Sequence, residues 1–209
     1  MKRAWVFAAM LSTMIFGGAL TAQRTRIASP PGIASTEILG KYKGGVEQPE
    51  YEGGKWIEVT YGRPIKRGRD LWGSGADYGK MLNAGAPVWR AGANDSTRLK
   101  TSIPLVFGTT TVPAGEYSVF IELNSPAQWT FIVTTWAQAR FGAPVSEGLY
   151  GAFNYTPEKD VARAPMRVDT LPYKVEQLTW EFTDMTATGG RMAIMWDKTM
   201  GSVPFSFGR

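Results

Sequence analysis

The feature that most constrains this chain is a period-two alternation of apolar side chains, repeated in short runs from Lys55 onward. Ile57, Val59 and Tyr61 form the first run; Tyr117, Val119, Ile121 and Leu123 another; Trp129, Phe131 and Val133 a third. Leu178, Trp180 and Phe182 continue the pattern, followed by Met192, Ile194 and Trp196, then Val203, Phe205 and Phe207. Leu99, Ile103, Leu105 and Phe107 share one parity and read as one stretch. Successive side chains of a strand point to opposite faces, so each run buries one face and exposes the other. No long stretch sustains a helical period. Short helical turns are expected only around residues 77–82 and 136–141.

Turn chemistry separates the runs. Val112-Pro113-Ala114-Gly115 sets proline at the second position and glycine at the fourth of a tight turn. Thr188-Gly189-Gly190 joins two alternating runs as a hairpin. Seven or more short strands with this punctuation predict a single all-β domain over residues 55–209, an antiparallel β-sandwich or jelly roll, with a closed β-barrel as the alternative. Residues 24–54 are rich in glycine and proline (Pro30-Pro31-Gly32, Gly44-Gly45, Gly53-Gly54) and read as an irregular arm with an edge strand near 37–39.

The first residues have the order of a secretory signal. Met1-Lys2-Arg3 is basic, residues 4–16 are mostly apolar, and Gly17, Gly18 and Ala19 are small. The run is shorter than the ~20 apolar residues of a comfortable membrane span, and Ser12 and Thr13 interrupt it, against the rival reading of an uncleaved anchor. Cleavage is expected between Ala19 and Gln23, giving a periplasmic or extracellular protein with no transmembrane segment. Taking residues 1–23 as the signal removes Lys2 and Arg3, so 21 of the 23 basic residues face 18 acidic ones and the net charge falls from +5 to +3. That balance is weak support for an anionic partner and argues against nucleic acid, which calls for a concentrated basic stripe.

Two residue types are missing, and each absence removes a chemistry. The chain has no cysteine, hence no disulfide, thiolate nucleophile or Cys-ligated zinc. It has no histidine, hence no Ser-His-Asp triad, imidazole ligand or histidine base. No phosphate-binding, dinucleotide or calcium-loop motif is present, and no cofactor or metal is expected. Carboxylate chemistry, oxygen-ligated metals and arginine-based anion binding remain open.

Two segments depart from plain alternation. Between Gly62 and Arg69 lie four cations, Arg63, Lys66, Arg67 and Arg69, among glycines. Arg63 and Arg69 are candidate ligands for an anion through bidentate guanidinium forks; the structural alternative is a solvated turn. The second segment is Val88-Trp89-Arg90-Ala91-Gly92-Ala93-Asn94-Asp95-Ser96-Thr97. As a binding site, Trp89 offers a stacking face, Arg90 and Asn94 fix polar groups, and Asp95 is the one plausible base. As architecture, Arg90 pairs with Asp95 and Asn94 takes a left-handed turn. Asp160 and Arg163 read as a local ion pair, and Tyr150, Phe153 and Tyr155 as an aromatic-rich loop.

On Tyr61-Gly62-Arg63-Pro64, Gly68-Arg69, Trp89-Arg90-Ala91-Gly92-Ala93-Asn94, Val112-Pro113-Ala114-Gly115-Glu116-Tyr117, Trp129, Asp160, Arg163 and Trp196, the chain resembles a bacterial family catalogued as domain of unknown function 2911. The resemblance spans about residues 29–207. It implies an exported, β-rich protein and no particular activity. Residues 44–54 look like extra sequence against that pattern, and Asp95 stands where the family pattern leads one to expect glutamate.

Three functions follow as expectations. The first is binding of a small polar, anionic or carbohydrate-like ligand by Arg63, Arg69, Trp89, Arg90, Asn94 and Asp95. The second is a hydrolase or lyase using Asp95 with Arg90 or Arg69 as electrostatic stabiliser. The third is a non-catalytic envelope or assembly module.

Overall fold

The computed structural model describes residues 26–208 apart from Val46 and Gln48. The signal expected over residues 1–23 lies outside the described residues. No helix among the described residues is long and apolar enough to cross a membrane.

Eleven strands follow one another among the described residues: β1 Pro31–Ile38, β2 Lys41–Lys43, β3 Glu50–Glu52, β4 Lys55–Gly62, β5 Thr97–Thr101, β6 Leu105–Phe107, β7 Thr110–Val112, β8 Gly115–Ser125, β9 Gln128–Thr134, β10 Asp160–Thr183 and β11 Gly189–Phe207. Nine of them form one antiparallel sheet in the order β1-β4-β5-β8-β9-β10-β11-β6-β7, while β2 and β3 make a separate hairpin. The two end strands, β1 and β7, are not paired with each other. The sheet is therefore open, consistent with the sandwich and not with the closed barrel.

The two layers share β10. Its first part, Asp160 to Met166, pairs with β9; from Arg167 onward it pairs with β11. Register shifts between Thr170 and Thr179 mark bulges, which bend and twist a strand. One layer is β1-β4-β5-β8-β9 with the start of β10; the other is the rest of β10 with β11, β6 and β7. Side chains from both interleave: Phe107 of β6 meets Phe131 of β9 at 5.2 Å between ring centroids, and Phe131 meets Trp180 of β10 at 6.4 Å. Ile57, Val59, Leu99, Val119, Ile121, Phe131, Leu178, Ile194 and Val203 are buried in this core, as their parity predicts.

Several expectations need correction. The arm is not mostly irregular: β1 is an eight-residue strand paired along its whole length with β4, beginning at Pro31 and not near residue 37. Its backbone finds a sheet edge to join, which composition does not reveal. The stretch from Leu99 to Phe107 is two strands in different layers, since the chain turns after Thr101. Helical turns do form near residues 77–82, as a 3-10 turn at Gly75–Asp77 and α1 at Lys80–Asn83. None forms at 136–141; that segment runs extended, with Gln138 bridged to Leu149, and the 3-10 turn comes later at Val145–Glu147.

A second, smaller core lies on the outer face of the first layer. Phe120 and Ile132, paired across β8 and β9, point away from the main core and are covered by Val88, Trp136, Leu149, Ala152 and Tyr155. The connection between β9 and β10 thus caps half of the outer face. The half formed by β1, β4 and β5 has no such covering among the residues of this cluster.

Candidate functional site

The 90–96 loop is an excursion from the sheet, closed at both ends by β8. Trp89 exchanges two backbone hydrogen bonds with Ile121, at 2.8 and 2.9 Å. Thr97 rejoins opposite Val119, two residues away. Trp89 therefore continues the line of β5, and its indole enters the core. It is 1% exposed, stacked against Trp196 and edge-on to Trp72 and Trp129. The stacking face expected of Trp89 is covered by protein, so this residue anchors the loop from below and does not meet a ligand.

Each following position is held by a specific contact. The Ala91 carbonyl accepts from Trp180 Nε1 at 2.9 Å and from Thr97 Oγ1 at 3.1 Å, tying the loop to the opposite layer. The loop presses on the end of β4 so closely that a Cβ on Gly62 would stand 2.0 Å from the Ala93 carbonyl oxygen. Ser96 is buried and donates to the Gly151 carbonyl at 2.6 Å. Asn94 has φ +63°, the left-handed region that asparagine tolerates better than most residues. Its Nδ2 donates to the carbonyls of Ala28 and Ser29 at 3.0 and 3.2 Å, clamping the segment that leads into β1.

Arg90 does not pair with Asp95. Its guanidinium lies over the rings of Phe153 and Tyr150, at 5.3 and 5.8 Å, and donates to the Asn94 carbonyl. Burial lowers its pKa from the usual guanidinium value, with Tyr150 and Asp95 pulling the other way. A cation desolvated between aromatic faces is held by ring quadrupoles instead of a carboxylate. The approach is tight: Gly151, with φ +62°, has no room for a Cβ, which would lie 2.6 Å from the guanidinium carbon.

The Arg63 and Arg69 expectation fares differently. Lys66 pairs with Asp197 at 2.6 Å. Arg69 spends its guanidinium on the chain itself, donating from Nε to the Lys66 carbonyl at 2.9 Å and from Nη2 to the Ile65 carbonyl at 2.7 Å, over the Trp196 ring. Arg63 packs against Gly32 and lines a cleft between β1 and β10. Lys66 and Arg69 are thus engaged with the protein itself, while Arg63 lines a separate cleft. Sequence proximity along a turn does not make side chains converge.

What the fold does bring together is a pocket of about 550 Å³ on the outer face, beside the capping connection. Asn94, Asp95 and Ser96 form one wall, Gln138 and Tyr150 another, Thr60 and Arg98 the floor, and Ile27, Ser29 and Pro31 the remaining side. Asp95 is exposed and makes no side-chain hydrogen bond or ion pair with the described residues. Arg98 is anchored through Nη1 to Ser118 Oγ at 2.7 Å; burial lowers its pKa, with Glu116 opposing. Thr60, Arg98 and Gln138 were not singled out from the sequence. They belong to three separate segments, and only outward parity on β4 and β5 hints at the first two.

A second polar cluster sits on the same face. Arg163 binds Asp160 at 2.9 Å and Glu122 at 2.6 Å, as the expected local pair extended by one carboxylate. Tyr155 Oη donates to Asp160 Oδ2 at 2.7 Å. Burial first, then that carboxylate, raise the Tyr155 pKa well above the ordinary tyrosine value. Among the described residues no group of three or more His, Cys, Asp or Glu side chains is placed to hold a metal ion.

Residues 45–205 match the family described as "Protein of unknown function (DUF2911)". The chain belongs to this family. The matched DUF2911 region holds the whole 90–96 loop, its β8 anchor and the capping connection; β1 and the segment clamped by Asn94 precede it. It also begins at Gly45, so most of the stretch read as extra sequence falls inside the match. No curated protein and no solved structure matches this DUF2911 chain.

Proposed function

We propose that this protein is an exported binding protein whose outer-face pocket takes a small polar, carbohydrate-like ligand. The observation that carries the reading is the contrast within the 90–96 loop. Trp89, Arg90, Ala91 and Asn94 are all engaged in holding it, whereas Asp95 at its tip has no side-chain partner among the described residues and lines the pocket. A braced loop presenting an acceptor, opposite an amide, a phenol and an anchored guanidinium, is the arrangement of a preformed polar site. Acceptors and donors face each other across it, which suits hydroxyl groups that do both. Export rests on the basic, apolar and small-residue order of residues 1–23.

Catalysis is not part of this reading. Asp95 is the single carboxylate lining the pocket, whereas glycoside hydrolysis ordinarily uses two. The test is calorimetric titration of the protein lacking residues 1–23 with neutral monosaccharides and with small carboxylate, sulfate and phosphate anions. Saturable binding weakened by Asp95→Asn and by Gln138→Ala supports the reading. Silence across the whole set, or binding indifferent to both substitutions, removes it.

A further inference from the structure

The outer face of β4 and β5 continues away from the pocket as a series of residue rows. Register places Thr60 opposite Arg98, Glu58 opposite Lys100, and Lys100 opposite Glu116 of β8. The row beyond holds Trp56, whose backbone N–H donates to Ser102 Oγ at 2.7 Å while Ser102 Oγ donates back to the Trp56 carbonyl at 3.1 Å. Alternate residues of a strand stand about 7 Å apart, so Trp56 lies about 14 Å along the face from Thr60 in the pocket floor. An open depression of about 480 Å³ surrounds it, lined by Trp56, Glu58, Lys100, Ser102 and Glu116.

Among the described residues, Trp56 is unlike the other tryptophans. Trp72, Trp89, Trp129 and Trp196 pack against one another and Trp180 against Phe131, while Trp56 is 49% exposed on an outward parity. A large aromatic ring left on a sheet face amid charged groups offers a flat apolar surface whose surroundings can hydrogen-bond. The charges around it also select a partner. Lys100 pairs with Glu116 at 3.1 Å and stands beside Glu58, so both signs alternate along the row. A polyanion meets Glu58 and Glu116 as well as Lys100 and Arg98, and a polycation meets the same mixture, so repulsion offsets attraction and neither is selected. A neutral polyhydroxyl chain needs no net charge and can hydrogen-bond to both signs.

We infer that the ligand of the pocket is one end of a neutral oligosaccharide chain, which runs along the exposed face of β4 and β5 and stacks a more distant sugar on Trp56. This rests on the pocket reading and adds to it a ligand class and a direction. The test compares affinities of glucose, xylose and N-acetylglucosamine oligomers, from monomer to hexamer, for the protein without residues 1–23. Affinity should rise about tenfold between monomer and hexamer in the series that binds, the gain expected of one well-formed aromatic contact. Trp56→Ala should abolish that gain and leave monomer affinity unchanged, Trp56→Phe should keep part of it, and Asp95→Asn should weaken every length. Equal affinity for monomer and hexamer, or a gain that survives Trp56→Ala, overturns the inference while leaving the pocket intact. Absence of binding at every length also overturns the inference, and it removes the pocket reading too when the small anions are silent as well.

Discussion

The Asn94 amide and the Ala28 carbonyl, 66 residues apart in sequence, are joined by a 3.0 Å hydrogen bond that fastens the segment before β1 to the loop after Trp89. With the second bond to Ser29, it makes Asn94 the clamp of one pocket wall. Asn94→Ala should therefore lower stability by about 1–3 kcal/mol, through the lost partner and the left-handed backbone. Asn94→Gly should recover the backbone part alone. In both variants hydrogen exchange should rise at residues 28–33, and unchanged protection there would show that the clamp is dispensable.

Arg90 is held by two rings and one carbonyl, with no carboxylate paired to it among the described residues. Removing it leaves a space beneath Tyr150 and Phe153, and Arg90→Ala should cost about 2–3 kcal/mol in chemical denaturation. Arg90→Lys keeps the charge and loses the planar fork, so it should recover less than half of that. Full recovery by lysine would mean that charge alone matters at this position.

Gly62 sits under the Ala93 carbonyl with no space for a methyl group. Gly62→Ala should push the 90–96 loop off β4 and destabilise the fold by about 1–3 kcal/mol, with loss of whatever binding the pocket has. A Cβ added at Gly68 would meet nothing within 4 Å beyond its chain neighbours, yet the φ of +71° strains any side chain. Gly68→Ala should then cost about 1–2 kcal/mol while leaving binding intact, which separates pocket damage from general destabilisation.

Tyr155 ionises less readily in the folded chain than in the unfolded one, because burial and Asp160 both oppose the phenolate. The folded protein then keeps a proton that the unfolded chain loses, so this group's contribution is complete below the ordinary value of 10.0 and declines as pH rises above it. Tyr155→Phe should flatten the fall of stability at alkaline pH. Tyr78 and Tyr117, both raised by burial, should leave a residual slope. Parallel stability curves for wild type and variant above that pH would remove Tyr155 from the alkaline transition.

The strand faces were readable because parity is a local property. Ile57, Val59 and Tyr61 point inward for the same reason that Trp56, Glu58 and Thr60 point outward, and β4 obeys both. The second core was readable too and was missed. Phe120 lies between Val119 and Ile121, and Ile132 between Phe131 and Val133, so both strands carry apolar residues on two faces. Such runs mark strands covered on both sides, here by the connection from Trp136 to Tyr155. The Trp89 to Asn94 string was recognisable as special, but its residues divide into anchor, stack and clamp in a way that spacing does not express.

The amino-acid sequence by itself determined an all-β domain, a sandwich or a barrel, and excluded thiol and imidazole chemistry, since alternation and composition need no partner to be read; that the sheet stays open was decided by strand order. Tertiary structure decided which loops meet. It turned Arg69 back onto the Lys66 and Ile65 carbonyls, sank Trp89 into the core, and set Asp95 beside Arg98, Gln138 and Tyr150. The reason is physical: alternation follows from backbone geometry within a few residues, whereas convergence of loops depends on strand order and register, which arise from hydrogen bonds between segments far apart in the chain.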